Sequence, residues 1–117
     1  MLNWNIETDK WGNKQVRFFL TQGDTATIIS NPTKNGEPID LSNVSKCMFK
    51  LADSDNKGVF SKEFTPQDGY FFVTLESAET STLPIDTLTY EVEYTFTDGT
   101  VNTPNRWKFD ITDQNNN

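Results

Sequence analysis

The sequence predicts an all-β domain: an antiparallel sandwich of about seven strands with at most one short helical turn. Three observations predict it. Residues 87–112 alternate apolar and polar side chains about an Asp98-Gly99 pair. Short β-branched or aromatic runs recur along the rest of the chain, each bounded by turn-forming residues. Only residues 77–83 could hold a helical turn.

The C-terminal alternation is the strongest signal. Leu88, Tyr90, Val92, Tyr94 and Phe96 alternate with Thr87, Thr89, Glu91, Glu93 and Thr95. Trp107, Phe109 and Ile111 alternate with Lys108, Asp110 and Thr112. A period of two buries one face of a strand. An Asp-Gly pair between two such runs supplies the positive φ that a hairpin turn needs. The chain therefore ends in a long antiparallel hairpin with an aromatic inner face.

Earlier elements follow from the same logic. Residues 1–12 are polar, with two tryptophans, Trp4 and Trp11, and read as an N-terminal arm. Val16, Phe18 and Leu20 place a strand at 15–21. Gln22-Gly23-Asp24 is a turn or bulge, and Ala26, Ile28 and Ile29 continue as a strand. The run 31–38 is dense in Asn, Pro and Gly and reads as a loop. Ile39 and Leu41 should pack down in an irregular turn. Strands follow at 46–52 and, weakly, 59–64, with Pro66-Gln67-Asp68-Gly69 as a turn. Residues 70–75 carry aromatics on both faces, which predicts a central or covered strand. Ser77 would cap the helical turn and Pro84 ends it. The expected division is an arm at 1–12, a sandwich at 13–113 and a disordered tail at 114–117.

Composition narrows the function. At 117 residues there is room for one core, and nine Phe, three Trp and three Tyr can fill it. A formal charge of −7 argues against nucleic acid and against anionic membrane surfaces. No run is long enough for a membrane span, and the N-terminus lacks the basic start and apolar core of a signal peptide. Cys47 is the one cysteine, so no internal disulfide forms. It shares a strand face with Phe49 and Leu51 and reads as a buried thiol.

Catalytic chemistry is poorly represented. The chain has no histidine, the commonest general base and metal ligand. Glu91 and Glu93 share one strand face, but it is the face away from the aromatics, so they read as solvated rather than as a glycosidase pair. Asp53-Ser54-Asp55-Asn56-Lys57-Gly58 imitates a calcium loop. Lys57 takes a ligand position, however, and Phe64 stands where a bidentate Glu is required. A hairpin loop is the better reading, and neither metal nor other cofactor is expected.

Trp4 and Trp11 lie outside the expected strands. They could cap the domain's own core, anchor a neighbouring subunit, or form a platform for a sugar ring. Pro104 cannot donate to a sheet ladder, so the last strand should be an edge or bulge there, with Asn105 and Arg106 on an interface rim. Trp4, Trp11, Pro104, Asn105 and Arg106 are thus the candidate interface residues.

The order of small motifs resembles a known family. Gly23-Asp24-Thr25-Ala26 leads a strand, and Asn35-Gly36-Glu37-Pro38-Ile39-Asp40-Leu41-Ser42 forms a loop and turn. Phe49-Lys50-Leu51 and Thr82-Leu83 follow. Leu88-Thr89-Tyr90-Glu91-Val92-Glu93-Tyr94 then leads to Asp98-Gly99-Thr100-Val101-Asn102-Thr103-Pro104. Across residues 16–112 this series resembles the immunoglobulin-like N-terminal domain of baseplate upper proteins from phages of Gram-positive bacteria. The resemblance implies an immunoglobulin-like sandwich, no catalysis, and a structural role in a phage or prophage tail. The partners would be other tail or baseplate proteins, or a second copy of the chain. The protein would be made in the host cytoplasm and end in the virion. Family members usually carry C-terminal extensions that hold receptor-binding proteins. This sequence ends at Asn117, so the resemblance does not reach that part. The alternative function is a carbohydrate-binding module recognising the host surface; a metal-free hydrolase is a remote third.

Overall fold

The computed structural model of the protein describes residues 2–30, 33–34, 37–66 and 71–113. Among the described residues, ten strands and one helical turn follow in order: β1 (Asn3–Thr8), β2 (Lys14–Thr21), β3 (Ala26–Ser30), β4 (Thr33–Lys34), β5 (Glu37–Pro38), β6 (Val44–Ala52), β7 (Gly58–Phe64), β8 (Phe71–Leu75), α1 (Ser77–Thr80), β9 (Thr87–Phe96) and β10 (Val101–Thr112). Six strands form one sheet in the order β1-β2-β10-β9-β6-β7. β3 and β8 form a second sheet, and β4 and β5 pair within the segment expected as a loop. The architecture is an immunoglobulin-like β-sandwich. Most pairings are antiparallel, but β10 runs parallel to β2 from Phe109 beside Phe18 to Thr112 beside Thr21.

The alternation read from the sequence becomes the inner face of the large sheet. Cys47, Phe49 and Leu51 on β6 pair with Tyr94, Val92 and Tyr90 on β9, and all six are buried. Phe109 and Ile111 continue that face on β10, and Leu20 on β2. The second sheet meets it with Ala26, Ile28, Val73 and Leu75, and Leu41 and Leu83 close the ends. Phe49, Tyr90 and Phe109 touch one another with ring centroids 6.3–6.4 Å apart. Dispersion and area burial both favour such an aromatic centre.

The C-terminal hairpin turns through a three-residue loop. The Phe96 N–H donates to the Thr100 carbonyl at 2.8 Å, and Gly99, with φ +90°, donates to the Phe96 carbonyl at 2.9 Å. The left-handed φ explains the glycine. The Asp98 carboxylate accepts from the N–H and the hydroxyl of Thr100 and locks the loop.

The Gly23-Asp24-Thr25-Ala26 motif also has a physical reading. Gly23 has φ +91°, and its carbonyl accepts from the Ser77 hydroxyl at 2.6 Å. The Asp24 carbonyl accepts from the buried Thr80 hydroxyl at 2.8 Å. The turn between β2 and β3 is thereby fastened to α1. Lys62 ties the open side, donating to the Thr74 carbonyl at 2.6 Å and the Glu79 carboxylate at 2.8 Å.

Several expectations need correction. The segment expected as an arm holds β1, which pairs with β2 along its whole length. Ser77 does not cap the helical turn: Glu76 stands at that position, and the Glu79 carboxylate accepts the Glu76 N–H at 2.8 Å. Among the described residues β8 pairs with β3 alone, so it is not central. Its Phe72 points away from the core and is 39% exposed. The expected tail at 114–117, most of the turn at 66–69, and residues 31–32 and 35–36 of the expected loop lie outside the described residues.

Candidate functional site

The β1–β2 hairpin and the adjoining half of β10 bring together the exposed Trp4 and Trp11, the half-buried Trp107 and the polar network of Glu7, Arg17 and Asp110. The hairpin turn is built on Asp9. One carboxylate oxygen accepts from the N–H groups of Trp11 and Asn13, each at 2.9 Å. The other accepts from the Gln15 side-chain amide at 3.1 Å. These bonds, the Gln15 bond foremost, hold the Asp9 carboxyl below its usual pKa. Gly12 completes the turn at φ +84°. Trp11 is thus presented from a fixed loop, 75% exposed.

Three long-range contacts fasten the hairpin to the sheet. Arg17 makes a bidentate pair with Asp110, at 2.7 and 3.0 Å, and reaches Glu7 at 3.3 Å. The Trp107 indole N–H donates to Glu7 at 2.9 Å. The Tyr90 hydroxyl donates to the Val16 carbonyl at 2.6 Å. Burial pushes the Tyr90 phenol up, so it stays a donor. The Trp107 bond is the main cause of a lowered Glu7 pKa; burial opposes it and the Arg17 charge adds to it. Asp110 is raised by burial, but bonds from Arg17 and Thr87 outweigh that and the net direction is down.

The position of Trp4 follows from register. Trp4 pairs with Phe18, and Ile6 with Val16. Directly opposed residues point to the same side of a sheet. Phe18 packs on Tyr90 at 5.1 Å and on Phe109 at 5.5 Å, so that side is the core side. Yet Trp4 is 62% and Ile6 58% exposed, because a two-stranded sheet opposite six strands does not extend over β1. Neither tryptophan completes the monomer's core.

Pro104 lies where the β10–β9 register slips between Asn102 and Asn105, the bulge its missing N–H predicts. Before Phe109, β10 has a sheet partner on the β9 side alone, so this stretch is also a local edge. Asn105 is half-buried, and its side-chain carbonyl oxygen is buried without a hydrogen-bond partner. Arg106 is exposed and pairs with Glu91 at 3.0 Å. The fold brings Trp11 and Arg106 to one groove with Asp9, Gln15, Thr89, Thr103, Trp107 and Lys108. Trp4 does not line it.

Other sequence candidates are accounted for. Glu91 pairs with Arg106, and Glu93 with Lys50 at 3.0 Å, as on a solvated strand face. Cys47 is fully buried, and burial lifts its thiol to about 11. One Asp53 oxygen accepts from the N–H groups of Asp55 and Lys57, so the calcium-like segment is the β6–β7 hairpin loop. No group of three or more potential metal ligands occurs among the described residues.

Sequence reasoning missed Ile6 and Glu7. The alternation of Trp4 and Ile6 with Asn3, Asn5 and Glu7, followed by Asp9 and Gly12, was a usable strand-and-turn signal. It also missed the Ile29–Phe72 pair, two cross-strand neighbours exposed on the outer face of the small sheet.

No protein-family model matches the chain, and no curated protein matches it. Among solved structures, the extracellular domain of mouse leukocyte-associated immunoglobulin-like receptor 1, crystallised as a strand-swapped dimer, is similar at 11% identity, covering 82% of this chain and 79% of that one with a TM-score of 0.41.

Proposed function

We propose that the chain is a noncatalytic assembly module of a phage or prophage tail or baseplate, binding a neighbouring tail protein through the β1 edge. The ordered motifs from Gly23 to Pro104, which resemble the baseplate upper protein domain, support the setting. One observation carries the mechanism: Trp4 and Ile6 stand exposed on the core side of an edge strand. Edge strands usually defend themselves with charge or proline. β1 carries no proline, and its one charge, Glu7, is held by Trp107 and Arg17, which leaves the Asn3-Trp4-Asn5-Ile6 stretch of the edge without either defence. A strand or loop added beside β1 would pair its free backbone groups and cover both side chains.

The test is copurification with the products of adjacent tail genes, using wild type and a Trp4→Glu, Ile6→Glu double variant. Both residues are exposed, so the variant should melt near the wild-type temperature and lose the partner. Retention of the partner by a folded double variant would overturn the assignment.

A further inference from the structure

We propose that the groove between the Trp11 turn and β10 is a binding site for an anionic oligosaccharide, independent of the β1 edge. The groove measures about 420 Å³, within the range of small-ligand sites. Its larger neighbours offer no exposed ring: Phe60 in one and Phe96 in the other are half-buried. Here Trp11 presents a broadly exposed indole and Trp107 a half-buried one.

The Trp107 ring and the backbone that carries Trp11 are held before any ligand arrives. Asp9 fixes the backbone of the Trp11 turn through two N–H bonds. Glu7 fixes the Trp107 indole N–H. Preorganised aromatics lose little entropy on binding, which suits a flat apolar sugar face stacking on an indole. Thr89, Thr103 and Gln15 supply hydroxyl and amide groups for sugar hydroxyls.

Charge selects the ligand class. The chain as a whole is −7, yet exposed Arg106 and Lys108 line the groove, exposed Lys10 lies on the turn that forms one wall, and exposed Lys14 begins β2 directly after that turn. The local carboxylates keep their charge: Asp9 is held by three neutral donors, Glu91 offsets Arg106 and Glu7 offsets Arg17, so the positive charge offered to a ligand comes from Lys10, Lys14 and Lys108. Lys10 Nζ sits 4.6 Å from the Trp11 ring centroid and Lys108 Nζ 5.0 Å from that of Trp107. Each ammonium lies over the face of its indole, so a sugar stacking there must displace it, and a carboxylate or phosphate on that sugar would keep the displaced ammonium in an ion pair. The two indoles beside cations therefore favour a sugar bearing negative charge over a neutral one.

Indole N–H resonances of the full chain report the binding. The probes are hexagalacturonate and phosphorylated maltohexaose, which distinguish carboxylate from phosphate. Maltohexaose and hexaglutamate serve as the neutral sugar and the sugar-free anion. At least one anionic sugar should shift the Trp11 indole N–H, and should bind about tenfold more weakly to Trp11→Ala. Lys10→Gln with Lys108→Gln should weaken binding and reduce its salt dependence. Trp4→Ala should bind as wild type, which separates this site from the assembly edge. The proposal is overturned if neither anionic sugar shifts the Trp11 signal, if Trp11→Ala binds unchanged, or if maltohexaose or hexaglutamate binds equally well.

Discussion

Trp107 and Glu7 are one hundred residues apart in sequence and joined by a 2.9 Å hydrogen bond between indole N–H and carboxylate. That bond lets the N-terminal hairpin report on the C-terminal strand. β1 touches β10 through no backbone ladder, because β2 stands between them. Side chains do the joining: Glu7 to Trp107, and Arg17 to both Glu7 and Asp110.

This network predicts a specific acid response. The pKa values of Glu7 and Asp110 are lowered in the fold. A lowered folded pKa contributes stability that is fully present above the unfolded value and lost as pH falls through the folded one. The contribution is therefore intact at pH 7 and disappears below about pH 4. Thermal unfolding from pH 7 to pH 3 should show the midpoint falling in the acid range. The double variant Glu7→Gln, Asp110→Asn should begin lower and fall less. Parallel curves for the two proteins would show that these carboxylates are not linked to folding.

The two phenylalanines Phe109 and Phe72 should differ sharply. Phe109 is fully buried among Phe18, Phe49 and Tyr90. Phe109→Ala should cost about 3–5 kcal/mol through lost burial and the cavity left behind. Phe72 faces outward on the small sheet, so Phe72→Ala should cost less than about 1 kcal/mol. Urea titration measures both, and equal costs would contradict the inward phase assigned to β8.

Why Phe72 misled the sequence reading is instructive. The run 70–75 places apolar residues on both faces, the usual mark of a strand covered on both sides. Among the described residues β8 has one neighbour, β3, and its outer face leaves Phe72 beside Ile29. Local pattern reports what a side chain could pack against, not whether the partner exists. The hairpin 87–112 was legible because its pattern and turn chemistry are local and agree. The parallel pairing of β2 with β10 was not, since it joins the two ends of the chain. The candidate site divides the same way. Pro104 could be placed at a bulge from its missing N–H, whereas the meeting of Trp11 with Arg106 and Trp107 depends on that long-range topology.

Cys47 should be chemically silent in the folded protein. Its side chain is fully buried, and burial with the Glu63 charge lifts the thiol to about 11, so little thiolate exists at pH 8. A disulfide-exchange reagent at pH 8 should leave native protein unmodified for hours and react at once in denaturant. Rapid reaction of the native protein would place Cys47 nearer the surface than its strand partner Tyr94 allows.

Deleting residues 2–8 tests whether β1 belongs to the fold or to assembly. Every residue of Asn3–Thr8 is exposed or half-buried, so the strand contributes nothing to the sealed core. Its loss removes a six-pair ladder and the Glu7 bonds to Trp107 and Arg17. β2 keeps its pairing with β10 from Phe18 to Thr21, and Arg17 keeps Asp110. The truncated chain should therefore unfold cooperatively at a lower temperature, with the far-ultraviolet signature of a β-sandwich retained at low protein concentration. On the proposed assembly role it should also fail to bind its tail partner, since Trp4 and Ile6 are gone. Loss of any cooperative transition would mean that β1 is required to fold. A cooperative transition with the partner still bound would move the interface away from this edge.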